Sequence, residues 1–413
     1  MRRRDFLKLA GAASLAGCAG PGDSPLKARV VIIGGGFGGA TAAKYIRLWD
    51  PSIDVVLVER EAQLVSCPMS NLVLGGYAGM QDIARGYDAL RRHGVQVVRD
   101  DATAIDAAKK SVRLAGGREL GYERLVVSPG VDFLFGEVEG YEPALREGVV
   151  LHAWKAGPQT VALRRQLAQM RDGGVYVISV PPSPYRCPPG PYERASLVAA
   201  YFKQAKPRSK VLVLDANPDL TSKPALFKAA WKDLYAGIIE YRGNSNVIAV
   251  EPGGVRTDFD TIKGDVLNVV PPQRAGDIAA RSGLITSANR WCNVDWRTME
   301  SKAVKGVHVL GDATLSAPAM PKSASMASSH AKIAAAAIVE LLNGRSARPL
   351  KILNTCYSFV AEKAAIRVSS VHEWDGTTLQ PVKGAGGVSA APSEAEATHA
   401  WNWARTIWAD CLA

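Results

Sequence analysis

Residues 30–39, VVIIGGGFGG, constrain the fold more than any other stretch of this chain. Val30, Val31, Ile32 and Ile33 have strong strand preference, and they run straight into a glycine cluster. A helical pattern follows over 39–49, and then IDVVLVER over 53–60, a second buried-strand run ending in acid. Strand, tight turn, helix and strand form one β-α-β unit. Gly34, Gly36 and Gly39 meet the G-x-G-x-x-G spacing, and each has a physical task. Gly34 makes the turn, Gly36 lets backbone approach a pyrophosphate, and Gly39 allows helix and strand to pack closely. The free N–H groups of the helix then face the phosphates. Glu59 lies about 20 residues past Gly39, where a carboxylate holds ribose hydroxyls. The unit predicts binding of a dinucleotide cofactor.

The chain has 413 residues, too many for one ordinary core, so two or three domains are expected. With 47% hydrophobic and 22% charged residues, the composition is that of a globular protein. The formal charge of +11 comes without a long Lys/Arg block, zinc-finger spacing or an aromatic-laced basic helix. It points to an anionic substrate or an acidic partner and away from nucleic acid. Residues 1–28 read as a targeting segment. Arg2, Arg3 and Arg4 precede Asp5, Phe6 and Leu7, and the apolar run over 9–19 is too short to span a bilayer. This pattern looks like a twin-arginine export signal and predicts a periplasmic protein. LAGC, 15–18, also resembles a lipoprotein cleavage site; acylation of Cys18 would be the one source of membrane contact, against ordinary cleavage near Ala19 with Cys18 lost. Export permits disulfides. The six cysteines, Cys18, Cys67, Cys187, Cys292, Cys356 and Cys411, form no C-x-x-C, so no metal site and no haem attachment are expected.

Further along, a helix is predicted over 82–93 and a strand over 94–99. The segments 104–114 and 118–122 read as a small antiparallel excursion. The strand 122–130 ends in Ser128-Pro129-Gly130, similar to the strand that closes the first flavin-domain segment in two-dinucleotide-fold flavoproteins. A second βαβ-like unit has a helix over 160–169, strands over 174–180 and 210–215, and a helix over 224–235. Its strand runs into PPSPYRCPPGP, 181–191, six prolines in eleven residues with no glycine fingerprint. Prolines remove donors and fix the backbone, so a nicotinamide pyrophosphate is not cradled there in the usual way. Residues 261–270 are expected to return the chain to the first domain. The strand 306–313, GVHVLGDA, ends in Gly311-Asp312; in FAD-dependent enzymes of similar build such an acid points at the ribityl chain or pyrophosphate, which narrows the cofactor to FAD, the other reading of Asp312 being a helix-cap carboxylate. Lys322 either sets a positive charge at the flavin N1/C2=O edge or caps a helix, and a helix follows over 325–343. The tail holds an alternating segment, 365–374, a Gly/Ser/Ala linker, 384–393, and a helix over 399–412 in which Trp401, Trp403 and Trp408 serve core packing or a subunit contact.

Without a second nucleotide site, the electron donor is sought among thiols and small inorganic species. Cys187 sits in the prolyl loop and Cys356 at the start of the tail, and the two can meet near the flavin. A disulfide there can be opened by a sulfide anion; the other reading is a structural disulfide of an exported protein. Glu193, six residues beyond Cys187, is a proton shuttle if burial raises its pKa, or else a solvated acid at a helix start. Cys67, on the connection out of the second strand, can form a thioether with the flavin 8α-methyl carbon or be a packed free cysteine. On the residues alone the packed cysteine prevails.

These residues together resemble a family. VVIIGGGFGGATAAKYIRLWDPSIDVVLVER, VHVLGDA and MPKSASMASSHAK are similar to the flavoprotein subunit of flavocytochrome c sulfide dehydrogenases, relatives of sulfide:quinone oxidoreductases, over nearly the whole mature chain. The resemblance implies FAD held covalently by Cys67, with Ser66, Ser70 and Asn71 around it. It implies a redox disulfide of Cys187 with Cys356, Glu193 at the same site, and electron transfer to a separate c-type cytochrome subunit. The expected fold is α/β: two dinucleotide-binding-type, glutathione-reductase-like domains plus a smaller C-terminal α+β unit. The expected division is a signal segment at 1–28, FAD-binding segments at 29–136 and 264–349, a second nucleotide-fold domain without NAD at 137–263, and a redox or interface domain at 350–413. The cofactor set is FAD, bound through Gly34, Gly36, Gly39, Glu59, Cys67, Gly311, Asp312 and Lys322, with Cys187, Cys356 and Glu193 catalytic. The expected reaction is oxidation of a small inorganic sulfur substrate, sulfide, to sulfur or polysulfide. The alternatives are a sulfide:quinone oxidoreductase or a thiol- or polysulfide-handling disulfide oxidoreductase.

Overall fold

The computed structural model describes residues 27–413. The arginine-led segment and Cys18 lie outside the described residues. The chain begins with β1 (Ala28–Ile33), α1 (Phe37–Trp49), β2 (Ile53–Glu59), β3 (Gln96–Arg99) and β4 (Arg124–Val127). β1 pairs in parallel with β2 and with β4, so that Ile33 faces both Val58 and Val127. The carboxyl ends of three strands therefore share one edge, the place where open α/β sheets take ligands. Val30, Val31 and Ile32 have no exposed surface, which is why this strand reads as a continuous apolar run.

The second unit contains β5 (Val175–Val180), α2 (Gly190–Ala205), β6 (Lys210–Asp215), α3 (Pro224–Tyr235), β7 (Ile239–Arg242) and β8 (Val266–Asn268). Its parallel sheet runs β7-β6-β5-β8. The chain then crosses back: Gln273–Ala275 pairs antiparallel with Val131–Phe133, and β9 (Val307–Val309) joins β4 in parallel. Two short strands, Val294–Asp295 and Glu300–Ser301, complete a seven-stranded sheet. α4 (Ala324–Leu342) packs along α1; both helices bury alanines, whose small side chains let the backbones approach. A C-terminal antiparallel sheet of β10 (Ile352–Ala361), β11 (Ala364–Trp374) and β12 (Leu379–Val388) is closed by α5 (Glu394–Leu412). The fold is α/β, two Rossmann-type units with a distinct β-rich C-terminal unit. No helix among the described residues is long and apolar enough to cross a membrane.

Four expectations about the course of the chain differ from the structure. The helix over 82–93 is two short helices, Met80–Ile83 and Asp88–Arg92, because Ala84–Gly86 pairs with Gln63–Val65 instead. The run 261–270 does not carry the chain back: β8 still pairs with β5, so the crossing follows Asn268. Half of the 384–393 linker is strand, since backbone pairing needs no side chain; a Cβ at Gly386 would lie 2.4 Å from the Ser369 carbonyl. The last helix starts at Glu394 and not at 399, capped by Ser393, whose hydroxyl accepts from the Glu396 N–H.

Candidate active site

A cavity of about 1160 Å³ opens at the shared strand edge. Gly34, Gly36 and Glu59 line one end, and Gly311 and Asp312 line its wall. Gly34 has φ +94°, and a Cβ there would sit 2.3 Å from the Ser128 carbonyl oxygen. A Cβ on Gly39 would lie 1.8 Å from the Gly34 oxygen. A Cβ on Gly36 would touch no protein atom within 4 Å and would stand in the cavity. Backbone contacts thus require Gly34 in the turn and Gly39 where the helix packs on it, and the space beside Gly36 is open for a ligand. Glu59 accepts from the Gly35 N–H at 2.5 Å and the Glu61 N–H at 2.8 Å, which fixes its carboxylate at the cavity rim. One oxygen of Asp312 is buried without a partner, and burial raises its pKa despite Arg186 and Lys322 nearby. A buried orphan acceptor beside an open glycine turn fits the hydroxyl-rich chain of FAD. The residues present fit this cofactor.

Lys322 does not line the cavity. Its ammonium donates to the carbonyls of Asp312 and Thr314, at 3.0 and 2.5 Å, and lies 3.6 Å from the centre of the Trp291 ring. Burial pushes its pKa down to about 7. The cap before α4 is Ser323, whose hydroxyl accepts from the Met326 N–H. The backbone carbonyl of Lys322 acts on the site instead, accepting from the Cys187 N–H at 2.8 Å.

Cys67, Cys187, Glu193 and Cys356 all face the same cavity. Cys187 lies within the prolyl loop with φ +59°, a left-handed conformation that costs about 1–3 kcal/mol for a side-chain-bearing residue. Its sulfur rests against the first turn of α2: a Cβ on Gly190 would come within 2.9 Å of it. Burial, then Glu193, raises the Cys187 pKa. Cys356 lies on β10 with its sulfur 3.4 Å from Asn354 Oδ1. Both cysteines are free thiols, so the expected disulfide is not formed in this structure. Cys67 is also free, with its sulfur 3.7 Å from the Trp154 carbonyl. Cys292 and Cys411 are buried elsewhere.

Glu193 ties three segments together. Its Oε1 accepts from the Phe359 N–H on β10 and its Oε2 from Asn71, just after Cys67, both at 2.8 Å. Burial raises its pKa, while these two donors, Lys223 and Arg194 pull the other way. A carboxyl held this way can exchange a proton inside the cavity.

Sequence reasoning missed the residues behind this wall. The buried Arg194 donates to Asn71 Oδ1, Asn268 Oδ1 and the carbonyls of His152 and Ala153, and so orients the Asn71 amide. Its one signal is a lone arginine in the apolar run RASLVAAYF. Lys223 is 6% exposed and donates to the Ser358 hydroxyl at 2.9 Å; no pattern in the sequence announces it. Trp403 of α5 reaches the cavity mouth, 5.9 Å from the Tyr357 ring.

In the second unit, Asp215 ends β6 as Glu59 ends β2. Its carboxylate accepts from the Tyr192 and Tyr241 hydroxyls at 2.7 and 3.1 Å and from Asn217 at 2.8 Å. Side chains of this chain therefore occupy the acid that would serve a second ribose.

The fold and this cavity define an FAD-binding oxidoreductase of the pyridine nucleotide-disulfide oxidoreductase type, whose family model matches residues 28–161. Residues 160–271 match the model for the central part of the flavocytochrome c sulfide dehydrogenase flavoprotein chain, and 349–412 the model for its flavin-binding part. The mitochondrial sulfide:quinone oxidoreductase of Dictyostelium discoideum is 26% identical over 300 residues, 69% of this chain and 65% of that one. The match thus spans slightly less than two thirds of that relative. A flavocytochrome c sulfide dehydrogenase flavoprotein chain from Chlorobaculum thiosulfatiphilum is 62% identical over 45 residues, 11% of this chain and 94% of that sequence. The crystal structure of the Aquifex aeolicus sulfide:quinone oxidoreductase superposes with a TM-score of 0.74 at 19% identity, covering 93% of this chain and 91% of that one. The chain is a flavoprotein of the superfamily that holds the sulfide:quinone oxidoreductases and the flavocytochrome c sulfide dehydrogenases.

Proposed function

We propose that this chain oxidises sulfide through Cys187 and Cys356 and passes the electrons to FAD and then to a quinone. The observation that carries the reading is the convergence of two free thiols and Glu193 on the cavity that the glycine turn opens. Bound FAD supplies a two-electron acceptor that can release its electrons one at a time. In the oxidised pair, HS⁻ attacks one sulfur, the S–S bond breaks, a persulfide forms and the other cysteine leaves as thiolate. Oxidation of one HS⁻ to the level of elemental sulfur releases two electrons and one proton, and Glu193 is placed to take that proton. Gly34, Gly36, Glu59, Gly311 and Asp312 would hold the cofactor, and the cysteines line the same cavity. The filled site at Asp215 and the prolines over 181–191 support a donor other than a nicotinamide.

The long likenesses favour quinone as the acceptor: the relative matched over 300 residues and the neighbour covering 93% of the chain are both sulfide:quinone oxidoreductases. Met69, Tyr357, Phe359 and Trp403 belong to one apolar cluster and line the same cavity, a wall that suits a flat apolar ring. Transfer to a c-type cytochrome subunit is the second reading, supported by the two flavocytochrome c models and the 62% identical stretch. Anaerobic titration with sulfide is expected to bleach the flavin. Adding a short-chain quinone or a c-type cytochrome to the reduced protein then shows which reoxidises it faster; unbleached flavin would defeat both readings. Export by the twin-arginine route belongs to the same proposal and rests on the signal segment expected at 1–28.

Two substitutions probe the site further. Glu193→Gln is expected to slow sulfide-driven bleaching about 10²-fold, as for loss of a positioned acid–base group, with FAD content unchanged in absorbance spectra. Covalent attachment through Cys67 predicts that yellow colour stays with the denatured chain and is released from Cys67→Ser. Full release from the unmutated chain on denaturation would rule attachment out.

A further inference from the structure

Lys223 stands just before α3, far in sequence from every cysteine, yet its side chain is buried behind the cysteine wall. Its ammonium donates to the Ser358 hydroxyl at 2.9 Å. Ser358 lies two residues beyond Cys356 on β10, so the two side chains share one face of the strand. Lys223 acts electrostatically on Cys356 first, then Glu193, then Cys187. The two sulfurs are otherwise unequally placed. Around Cys187 the strongest charge is the Glu193 carboxyl, with Cys356 next, and then Arg186 and Lys223 opposing. Burial raises the Cys356 pKa as it does that of Cys187, but here the strongest charge is Lys223, which lowers it, helped by the Ser323 and Asn354 side chains and opposed by Glu193. The start of α2 favours an anion near Cys187, but Glu193 already sits in that first turn.

We propose that Lys223 is a positioning residue that makes Cys356, and not Cys187, the anionic member of the reduced pair. A buried ammonium needs a counter-charge, and burial lowers the Lys223 pKa to about 8 even with Cys356, Glu193 and Cys187 acting to raise it. Deprotonation of Cys356 supplies that charge: the thiol proton leaves to solvent or Glu193, and the lysine keeps its own. When Cys356 enters a disulfide the counter-charge is lost, so oxidation and proton release at Lys223 are linked. Cys356 is then the sulfur ready to hand electrons to the cofactor, and Cys187 the one left to carry substrate sulfur. This rests on the reading of Cys187 and Cys356 as a redox pair.

Pulse alkylation of the reduced, FAD-loaded protein with iodoacetamide, across about pH 5–10, tests it without turnover. Peptide mass spectrometry reads Cys187 and Cys356 separately. Cys356 is expected to react at the lower pH. Lys223→Met is expected to move the Cys356 midpoint up by about one pH unit, a tenfold loss of thiolate below it, and to move Cys187 by less. Lys223→Arg should restore the order. Ser358→Ala, which leaves the lysine in place but removes its anchor, should shift Cys356 in the same direction by a smaller amount and stands in if Lys223→Met does not fold. Equal shifts at both cysteines, or none at Cys356 in a folded variant that retains FAD, overturn the proposal. Absence of sulfide-driven bleaching with the alkylation order intact would instead defeat the redox reading alone.

Discussion

Cys356→Ser and Cys187→Ser are each expected to lower the rate of sulfide-driven flavin reduction by about 10³-fold or more. The reason is stoichiometric. Sulfide can open a disulfide only if two sulfurs are present, and a serine hydroxyl at either place forms no such bond. The two variants should be nearly as damaging as the double variant, because the pair acts as a unit. Dithionite should still bleach the flavin in all three, since the glycine turn and Asp312 are untouched. FAD content should stay at the level of the unmutated protein, because neither sulfur anchors the structure: both are partly exposed to the cavity and neither is bonded to another sulfur. Stopped-flow absorbance of the flavin after mixing with sulfide reads the effect. A single variant that retains a tenth of the rate would remove the dithiol from the mechanism.

Gly39→Ala is expected to destabilise the protein by about 3 kcal/mol or more, at the upper end of overpacking substitutions. Helix propensity alone argues the reverse, since alanine gains about 1 kcal/mol over glycine inside a helix. Contact decides the sign. The new methyl would lie 1.8 Å from the Gly34 carbonyl oxygen, which belongs to backbone and cannot swing aside. Gly34 in turn cannot move, because its own amide donates to the Val58 carbonyl at 2.9 Å and its Cα side faces the Ser128 carbonyl. Gly36→Ala makes the contrasting case. Its methyl meets no protein atom within 4 Å, so the fold should be kept and FAD retention weakened. Denaturant unfolding separates the two from each other, and flavin absorbance of the purified variants completes the comparison. Unfolding of Gly39→Ala at the unmutated midpoint would show that the turn relaxes more than its packing allows.

Much of this arrangement was legible in the residues, and the illegible parts share a cause. Strands buried on both faces and a glycine spacing leave local traces, so the turn, both sheets' central strands and the Gly311-Asp312 end could be read directly. Pro224–Tyr235 was read with both ends correct because proline at its start fixes the first turn. The helix expected over 82–93 failed because pairing of Ala84 with Val65, a partner distant in sequence, outweighed the local helical period. The place of Lys322 outside the cavity lining was not legible, because its charge found two carbonyls and an indole face that no spacing indicates. The C-terminal segment was read as linker because its strand portion, 384–388, has glycine at three of five positions and so little side-chain alternation to detect.

The sequence by itself determined that a dinucleotide turn opens the chain, that the second unit lacks one, and that three cysteines and one glutamate were worth following. Those conclusions depend on neighbours along the backbone. Only the tertiary structure decided that Cys67, Cys187, Cys356 and Glu193 face one cavity, that Arg194 and Lys223 stand behind them, and that tyrosines occupy Asp215. Glu193 and Phe359 meet across 166 positions of chain, and Lys223 and Ser358 across 135. Contacts of that range arise from the docking of two sheets and a terminal strand, and a single hydrogen bond between such distant residues imposes no period on the chain that would announce it.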